Sequence, residues 1–566
     1  MTGNHRVGAA ALVVTSYFLL TFLVWGLTAT DRGLWQDDAG FLGLSFDRDP
    51  MTLELFRPIV SPTRRLVSLP FVAAAHTIAP ILALQLICGA IWLGTGLLTR
   101  DLTRRLAGDE VAAYVAGALT LCATSDFLTN SSVELGYDIS AILILAALCA
   151  AIRWIQGRSA TWLVASVALG QASLWTLDGS LPSYLLSPLL FWASARQGTT
   201  RRAVLATVTW AVAVIPYGVV LAEFLTDPSS YASTALAKLT LWRRIIKTAT
   251  MLTVDFSPWR WANARPVWLH IPEPWIPTSW FVSSSALGIG VFLGVLWWLQ
   301  RRSAETASLD VPPSRTFAAM TFAGAAAAAS HAAYAGVQFS EVHYRTQNYS
   351  RIWCSILLAL VLAFAARHWP RGRWFAATIA AAFVGFGVAG GMERQEFFVA
   401  TWSHNRKELV SLVRQAPVLA PQTVLVLVQP PTPTILLATE AEYLAQSWAM
   451  ILYPPASRPD VFLWNLERGA LCRYETSALR CFHEAEFQCA ANGACPGTAI
   501  PFDRLVMFEF QPASGEYRMV DHLNAATYDP RARVIGNSPT ERQRRVLFTT
   551  LAWSFAPSPK QRHPQD

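Results

Sequence analysis

Along the first 391 positions, apolar residues fall in runs of roughly twenty separated by short polar stretches, and twenty residues is what a helix needs to cross a hydrocarbon core. Eleven such runs are predicted as spans: residues 8–28, 80–98, 111–128, 139–155, 161–176, 182–195, 203–222, 281–299, 316–337, 352–366 and 375–391. Several are at or below the usual span length and begin in interfacial turns. Between the first two, "RRLVSLPFVAAAHTI" predicts a surface helix too short and too interrupted to span. Residues 223–280 carry Trp259, Trp261, Trp268, Trp275 and Trp280 among prolines and arginines, a mixture suited to the membrane interface as an aromatic belt or as a lipid-substrate contact. From Met392 the pattern changes. "APQTVLVLVQPPTPTILLA" holds a strand-like apolar run with proline turns, and "RLVMFEFQ" alternates like a half-buried strand. The fold class predicted is therefore a polytopic α-helical membrane protein of about eleven spans (residues 1–391) with a mixed α/β domain at its C-terminus (residues 392–566).

Composition agrees with that class: 53% of residues are hydrophobic, 14% are charged, and the mean hydropathy is +0.33. The net charge of +8 is spread in short clusters between the apolar runs. It forms no continuous basic patch or stacking platform, which excludes nucleic acid as the expected partner and leaves topology signals. The opening "MTGNHR" and its apolar run predict an uncleaved anchor, since the run is long and no convincing small-residue cleavage site follows it. With the N-terminus in the cytoplasm, arginines gather in the connections "RDLTRRLAGDE", "RWIQGR", "ARQGTTRR", "QRRSAETASLDVPPSR" and "ARHWPRGRW". The opposite face collects acids in "DRGLWQDD", "SDFLTNSSVELGYD", "LDGSLPS" and "EFLTDP". By the positive-inside rule the C-terminal domain is expected on the exoplasmic side.

Cysteine usage bears on the same point. Cys472, Cys481, Cys489 and Cys495 lie within one stretch of 24 residues, whereas the other four of the eight cysteines are scattered in or near spans. An even, clustered set in an oxidising compartment predicts two disulfides, in any of three pairings. A zinc site is the weaker alternative, because the cluster has no CxxC and His483 alone gives poor ligand spacing. "GFGVAG" (Gly385 to Gly390) matches GxGxxG in form but sits inside a span with no preceding strand, so close helix packing explains it. The chain shows no Walker A motif, no HExxH and no GxSxG.

The candidate chemistry begins with Asp37 and Asp38 in "LWQDDAGFLGL", just beyond the first span. Two carboxylates this close repel, so one can hold a proton to higher pH, and that raised proton affinity suits a general base. The acidic pair, the Arg57-Pro58 of "LFRPIV", an interfacial helix, and a second span ending in "LLTRDLTRRL" together resemble the GT-C glycosyltransferases. Protein mannosyltransferases and lipid A aminoarabinose transferase belong to that group, and the resemblance covers residues 1–391. It implies a polytopic enzyme that takes a sugar from a polyprenyl-phosphate carrier and passes it, with inversion, to an acceptor hydroxyl at the exoplasmic face. Asp37 would be the catalytic base. Asp38 would orient the acceptor, tune Asp37, or join it in holding a divalent cation, magnesium or manganese. The leaving phosphate needs cations, and "SEVHYRTQNYSR" offers His343, Arg345 and Arg351, with Arg57 as a further donor-phosphate contact. Glu134, Tyr137 and Asp138, and separately Asp178, face the same side and are candidates for binding sugar hydroxyls or a metal. His76 and His331 lie in apolar surroundings and are expected to serve packing.

The expected partners are a polyprenyl-phosphate-linked sugar, a glycan, lipid or protein acceptor, and membrane lipid, in a bacterial inner membrane. A transporter or flippase of a lipid-linked glycan is the rival from another class. It calls for charged or broken helices at mid-membrane. A surface-polysaccharide polymerase or ligase would share the lipid donor but move a whole glycan, and a non-catalytic scaffold with a binding domain is the fourth reading.

Overall fold

In the computed structural model, each of the eleven predicted runs overlaps a helix, and that of 203–222 falls on two. The structure describes residues 2–549 apart from 35–36, 53–55, 58–61, 126–130, 133–134, 196–197, 228–239, 263–277, 306–312, 336–347, 430–438, 440, 466–471, 484–485, 487–495 and 524–526. The first run is α1 (Thr2–Thr21), which continues as a π-helical turn over Phe22–Gly26. Two short helices follow, α2 (Asp37–Phe46) and α3 (Ser68–Ala75). Next come α4 (Pro80–Ala107), α5 (Glu110–Cys122), α6 (Leu135–Ile155) and α7 (Thr161–Leu174). The series goes on with α8 (Leu181–Ser194), α9 (Thr200–Ala213) and α10 (Ile215–Thr226). Two helices of the tryptophan-rich segment are α11 (Leu241–Asp255) and α12 (Pro258–Ala262). The last four of the helical half are α13 (Thr278–Glu305), α14 (Pro313–Ala335), α15 (Ser350–His368) and α16 (Gly372–Gln415).

Among the described residues, six helical stretches are long and apolar enough to cross a membrane, which makes this an integral membrane protein. Three shorter apolar helices, Ala10–Gly26, Glu110–Cys122 and Thr161–Leu174, accompany them. Local signals set the ends. Pro80 opens α4, Gly108 closes it in the left-handed region at φ 66°, and the Asp109 carboxylate caps α5 by accepting from the Val111 and Ala112 amides. Arg100 and Arg104 both reach Glu110, at 2.8 and 3.1 Å, and so staple that turn. The "GFGVAG" segment lies inside α16, packed against Cys122 and Trp261, as small residues at a helix interface allow.

The division at residues 391/392 falls inside α16, whose 44 residues run unbroken from the bundle into the C-terminal domain. There β2 (Val424–Gln429) is the centre of a parallel set, and β1 (Val418–Leu419) precedes it. Helix α17 (Glu442–Leu452) crosses over to β3 (Asp460–Asn465), which pairs in parallel with β2. The hairpin β4 (Cys472–Tyr474) and β5 (Ala478–Cys481) takes β6 (Thr498–Pro501) as its third, antiparallel strand. β7 (Leu505–Gln511) returns parallel to β2, β8 (Glu516–Met519) completes the order β3-β2-β7-β8, and β9 (Val534–Gly536) pairs with β1. "VLVLVQ" is apolar almost throughout because a central parallel strand is covered on both faces. The domain is α/β, as its sequence pattern predicts. Cys472 and Cys481 are bonded across β4 and β5, one of the two expected disulfides. Cys489 and Cys495 lie outside the described residues.

One expectation is corrected. The segment predicted as a surface helix is the eight-residue α3, and six of its residues are buried. "SLPFVAAA" has no polar face, so it packs on α2 and α4 instead of lying on a surface.

Candidate functional site

The first turn of α15 gathers the polar chemistry of the bundle. Residues 348–351 are all buried, and each is engaged differently. Asn348 donates to Asp138 Oδ1 at 3.3 Å, and Arg351 Nη2 donates to the same oxygen at 2.8 Å. Ser350 Oγ donates to Asp255 Oδ2 at 2.6 Å. The Tyr349 ring packs against Gly179 and lies 6.1 Å from the Tyr137 ring. The helix begins here because the apolar run "IWCSILLALVLAFAA" follows directly, and the positive end of its dipole faces two carboxylates.

Arg351 is also one end of a cation–aromatic row. Its guanidinium sits 3.8 Å from the centre of the Trp92 ring, Trp92 stacks on Trp25 at 6.0 Å, and Arg32 lies 4.7 Å over Trp25. Arg32 and Arg351 are both 1% exposed. Burial lowers the Arg32 guanidinium to about 9, so it remains charged at neutral pH. Cys88, on the neighbouring face of α4, is within electrostatic reach of Asp138, Asp38 and Arg32 together. Asp38 itself is fully buried and accepts from Ser131 Oγ at 3.3 Å. Two arginines, two tryptophans and Asp138, from α4, α6, α15 and the segment after α1, thus form one buried centre, and the buried Asp38 of α2 lies within electrostatic reach of Cys88 beside it. Arginine forks bind phosphate oxygens well, and the tryptophans supply apolar surface beside them.

A second network adjoins the first through Ser350. Asp255, at the end of α11, accepts from Ser125 Oγ at 2.8 Å on one oxygen. Its other oxygen takes Ser350 and, at 2.8 Å, His331 Nε2, with the Cys354 thiol 3.7 Å away. His331 and Asp255 are essentially inaccessible to solvent. The expectation that His331 merely packs is thereby corrected: a buried carboxylate needs donors, and this imidazole is one of the four that Asp255 has among the described residues. His76 is exposed, 3.3 Å from the Arg48 carbonyl.

Of the residues singled out from sequence, Asp37 opens α2 and Asp38 follows it into the core; the Asp37 side chain lies outside the described residues. Arg345, His343 and Glu134 also lie outside them. Arg351 and Asp138, expected to serve different groups of the substrate, form one ion pair. Tyr137 is beside Tyr349. Asp178 accepts from Thr63 Oγ1 at 2.9 Å and Tyr217 Oη at 2.6 Å, a separate cluster touching the first through the Tyr349–Gly179 contact. Arg57 is exposed and its carbonyl accepts from Arg48, so the structure does not bring it to the centre. Among the described residues, no group of three or more His, Cys, Asp or Glu side chains is placed to hold a metal ion. Trp92, Trp25, Arg32, Asp255 and Ser350 belong to the site without having been singled out. The placement of the charges Arg32 and Asp255 close beside apolar runs was the available signal.

No family model matches the chain, and no curated protein matches it. Among solved structures, it is similar to the crystal structure of ArnT from Cupriavidus metallidurans bound to undecaprenyl phosphate. The match is at 14% sequence identity and a TM-score of 0.36, over 82% of this chain and 86% of that one. A likeness at this level assigns no residue a role and no activity.

Proposed function

We propose that the protein is an inverting glycosyltransferase that moves a sugar from a polyprenyl-phosphate carrier to an acceptor hydroxyl at the exoplasmic membrane face. The observation that carries this reading is the buried row Arg32–Trp25–Trp92–Arg351 beside Asp38 and Asp138. Cations held against aromatic faces at a membrane suit a phosphate attached to a hydrocarbon chain. In this mechanism Asp37 takes the proton of the acceptor hydroxyl, the oxygen attacks the anomeric carbon from the face opposite the phosphate, and the sugar–phosphate bond breaks. The bonding pair leaves on the polyprenyl phosphate, whose growing charge Arg351 and Arg345 stabilise. Asp38 orients the acceptor or tunes Asp37. A divalent cation, where one binds, would be held by Asp37 and Asp38 and would supply further charge to the departing phosphate.

The test is transfer of radiolabelled sugar from a lipid-linked donor fraction by wild type and Asp37→Asn. Loss of transfer with unchanged expression and membrane insertion is the expected result, and transfer that survives the change removes Asp37 as the base. A structure with a polyprenyl monophosphate bound far from Arg351 and Asp37 would remove the site. The Asp255–His331 pair, a titratable couple sealed inside the bundle, favours a transporter of lipid-linked glycan as the second reading. Translocation that tolerates Asp37→Asn distinguishes it.

A further inference from the structure

Helix α2 carries the acidic pair at its start, and one face of it packs against α17 of the C-terminal domain. Leu34, Ala39 and Leu42 share one hydrophobic core with Trp402, Trp448, Ile451 and Leu452. The approach of α2 to α17 is close enough that a Cβ on Gly43 would stand 3.0 Å from Met450 Cβ and 3.1 Å from the Ser447 carbonyl. At Gly40 it would stand 3.1 Å from Ser447 Oγ. Just past the far end of the helix, Asp47 pairs with two arginines from separate parts of the domain, Arg458 before β3 and Arg542 after β9 at 3.1 Å. Arg542 also donates to the Phe46 carbonyl at 3.4 Å and to the Met450 carbonyl at 3.2 Å, and stacks 4.7 Å over the Phe46 ring. The helix is therefore held along its length by apolar packing and fixed at its end by charge.

We propose that the C-terminal domain is a positioning clamp for the acid-bearing helix, with Asp47 as the positioning residue that sets where α2 starts and where Asp38 enters the buried centre. A ten-residue helix is a rigid rod of about 15 Å, so a shift at Asp47 is carried to its first turn. The domain's task is then to hold the base at its working distance. This inference rests on the glycosyltransferase reading for the role of the two acids; the clamp itself does not.

The experiment is hydrogen–deuterium exchange of the full chain in lipid nanodiscs, with and without a polyprenyl monophosphate as probe. Asp47→Asn is expected to speed exchange of the 41–46 amides by roughly tenfold or more, since it loosens one locally cooperative unit. The β2 and β3 amides should be unchanged, and Asp47→Glu should restore rates to within about twofold of wild type, which a general loss of stability would not do. Arg458→Gln and Gly43→Ala are independent routes to the same loosening. Unchanged 41–46 exchange in Asp47→Asn and Gly43→Ala overturns the clamp. So does loosening spread evenly over β2, β3 and the helix. Protection of residues 350–353 by the probe reports on the substrate reading alone: its absence, with the clamp signature present, sinks the former and leaves the latter.

Discussion

The Asp138–Arg351 pair gives the sharpest test of the buried centre, because its two members are expected to affect stability alike and ligand binding oppositely. At 2.8 Å and an effective dielectric of about 20, their attraction is about 6 kcal/mol before desolvation is subtracted. Removing one partner of such a buried pair costs about 3–5 kcal/mol, since the other charge is left in a poor solvent. Arg351→Gln should fall at the upper end, because the contact with Trp92 is lost as well and a desolvated cation–aromatic contact is worth about 2 kcal/mol. Asp138→Asn should fall lower, since an amide can still accept from Asn348. The double variant should be more stable than the sum of the two losses by at least about 2 kcal/mol, measured by reversible unfolding in mixed micelles. Binding adds the discriminating sign. With Asp138 neutral, Arg351 is released to a phosphate and polyprenyl monophosphate should bind more tightly; with Arg351 removed it should bind more weakly. Additive losses within about 0.5 kcal/mol, or equal weakening of phosphate binding in both variants, would refute the assignment of Arg351 as a phosphate ligand held in reserve by Asp138.

Three further outcomes are expected. Asp255→Asn should destabilise the bundle more than His331→Gln, because Asp255 joins donors from two helices and a loop whereas His331 contributes one of them; thermal unfolding in detergent reads the order. Replacing Cys472 and Cys481 by serine opens a link of sequence separation 9, for which loop-closure entropy gives a loss of about 2–3 kcal/mol in the C-terminal domain, read by denaturant unfolding. His404 sits at the foot of α16 against Gly515, where burial, and secondarily the Lys407 charge, hold its imidazole below its usual value. The folded state then prefers the neutral ring, so this stability is fully present above about pH 6.5 and declines as pH falls through the interval down to the folded-state value. Exchange of the β7–β8 amides between pH 8 and pH 5 checks the slope, and His404→Gln should flatten it.

How much of this was legible follows from the range of each signal. The helices could be read because a span needs a long apolar run and nothing distant, and the α/β domain because "VLVLVQ" has a buried strand's composition within six residues. The acid pair could be picked out by its position after the first run. Its surroundings could not. Asp138 and Arg351 are 213 positions apart and Asp255 and His331 are 76 apart, so each looked like a lone charge in a connecting loop or an isolated histidine. Charges near apolar runs signal that partners exist without saying which.

The docking of α2 on α17 is the case where the local pattern explains least. "DDAGFLGL" reads as a weak helix, since Gly40 and Gly43 each cost about 1 kcal/mol relative to alanine and nothing nearby offsets that. The offset comes from 400 positions further on, where Ser447 and Met450 use the space that the missing side chains leave. A sequence that accepts two glycines in a ten-residue helix is under a constraint from outside the helix. Here that constraint is a domain whose helix α17 lies on the acids' rod. The same contacts explain why α16 continues through the domain boundary without a linker: a hinge there would let the clamp drift, whereas a continuous helix of 44 residues makes the bundle and the domain one lever. Inserting a flexible Gly-Ser pair in α16 near Trp402 should therefore loosen the 41–46 amides as Asp47→Asn does, although the insertion touches neither α2 nor Asp47. If those amides remain protected, the α2–α17 contact is self-sufficient and the continuity of α16 plays no part in holding it.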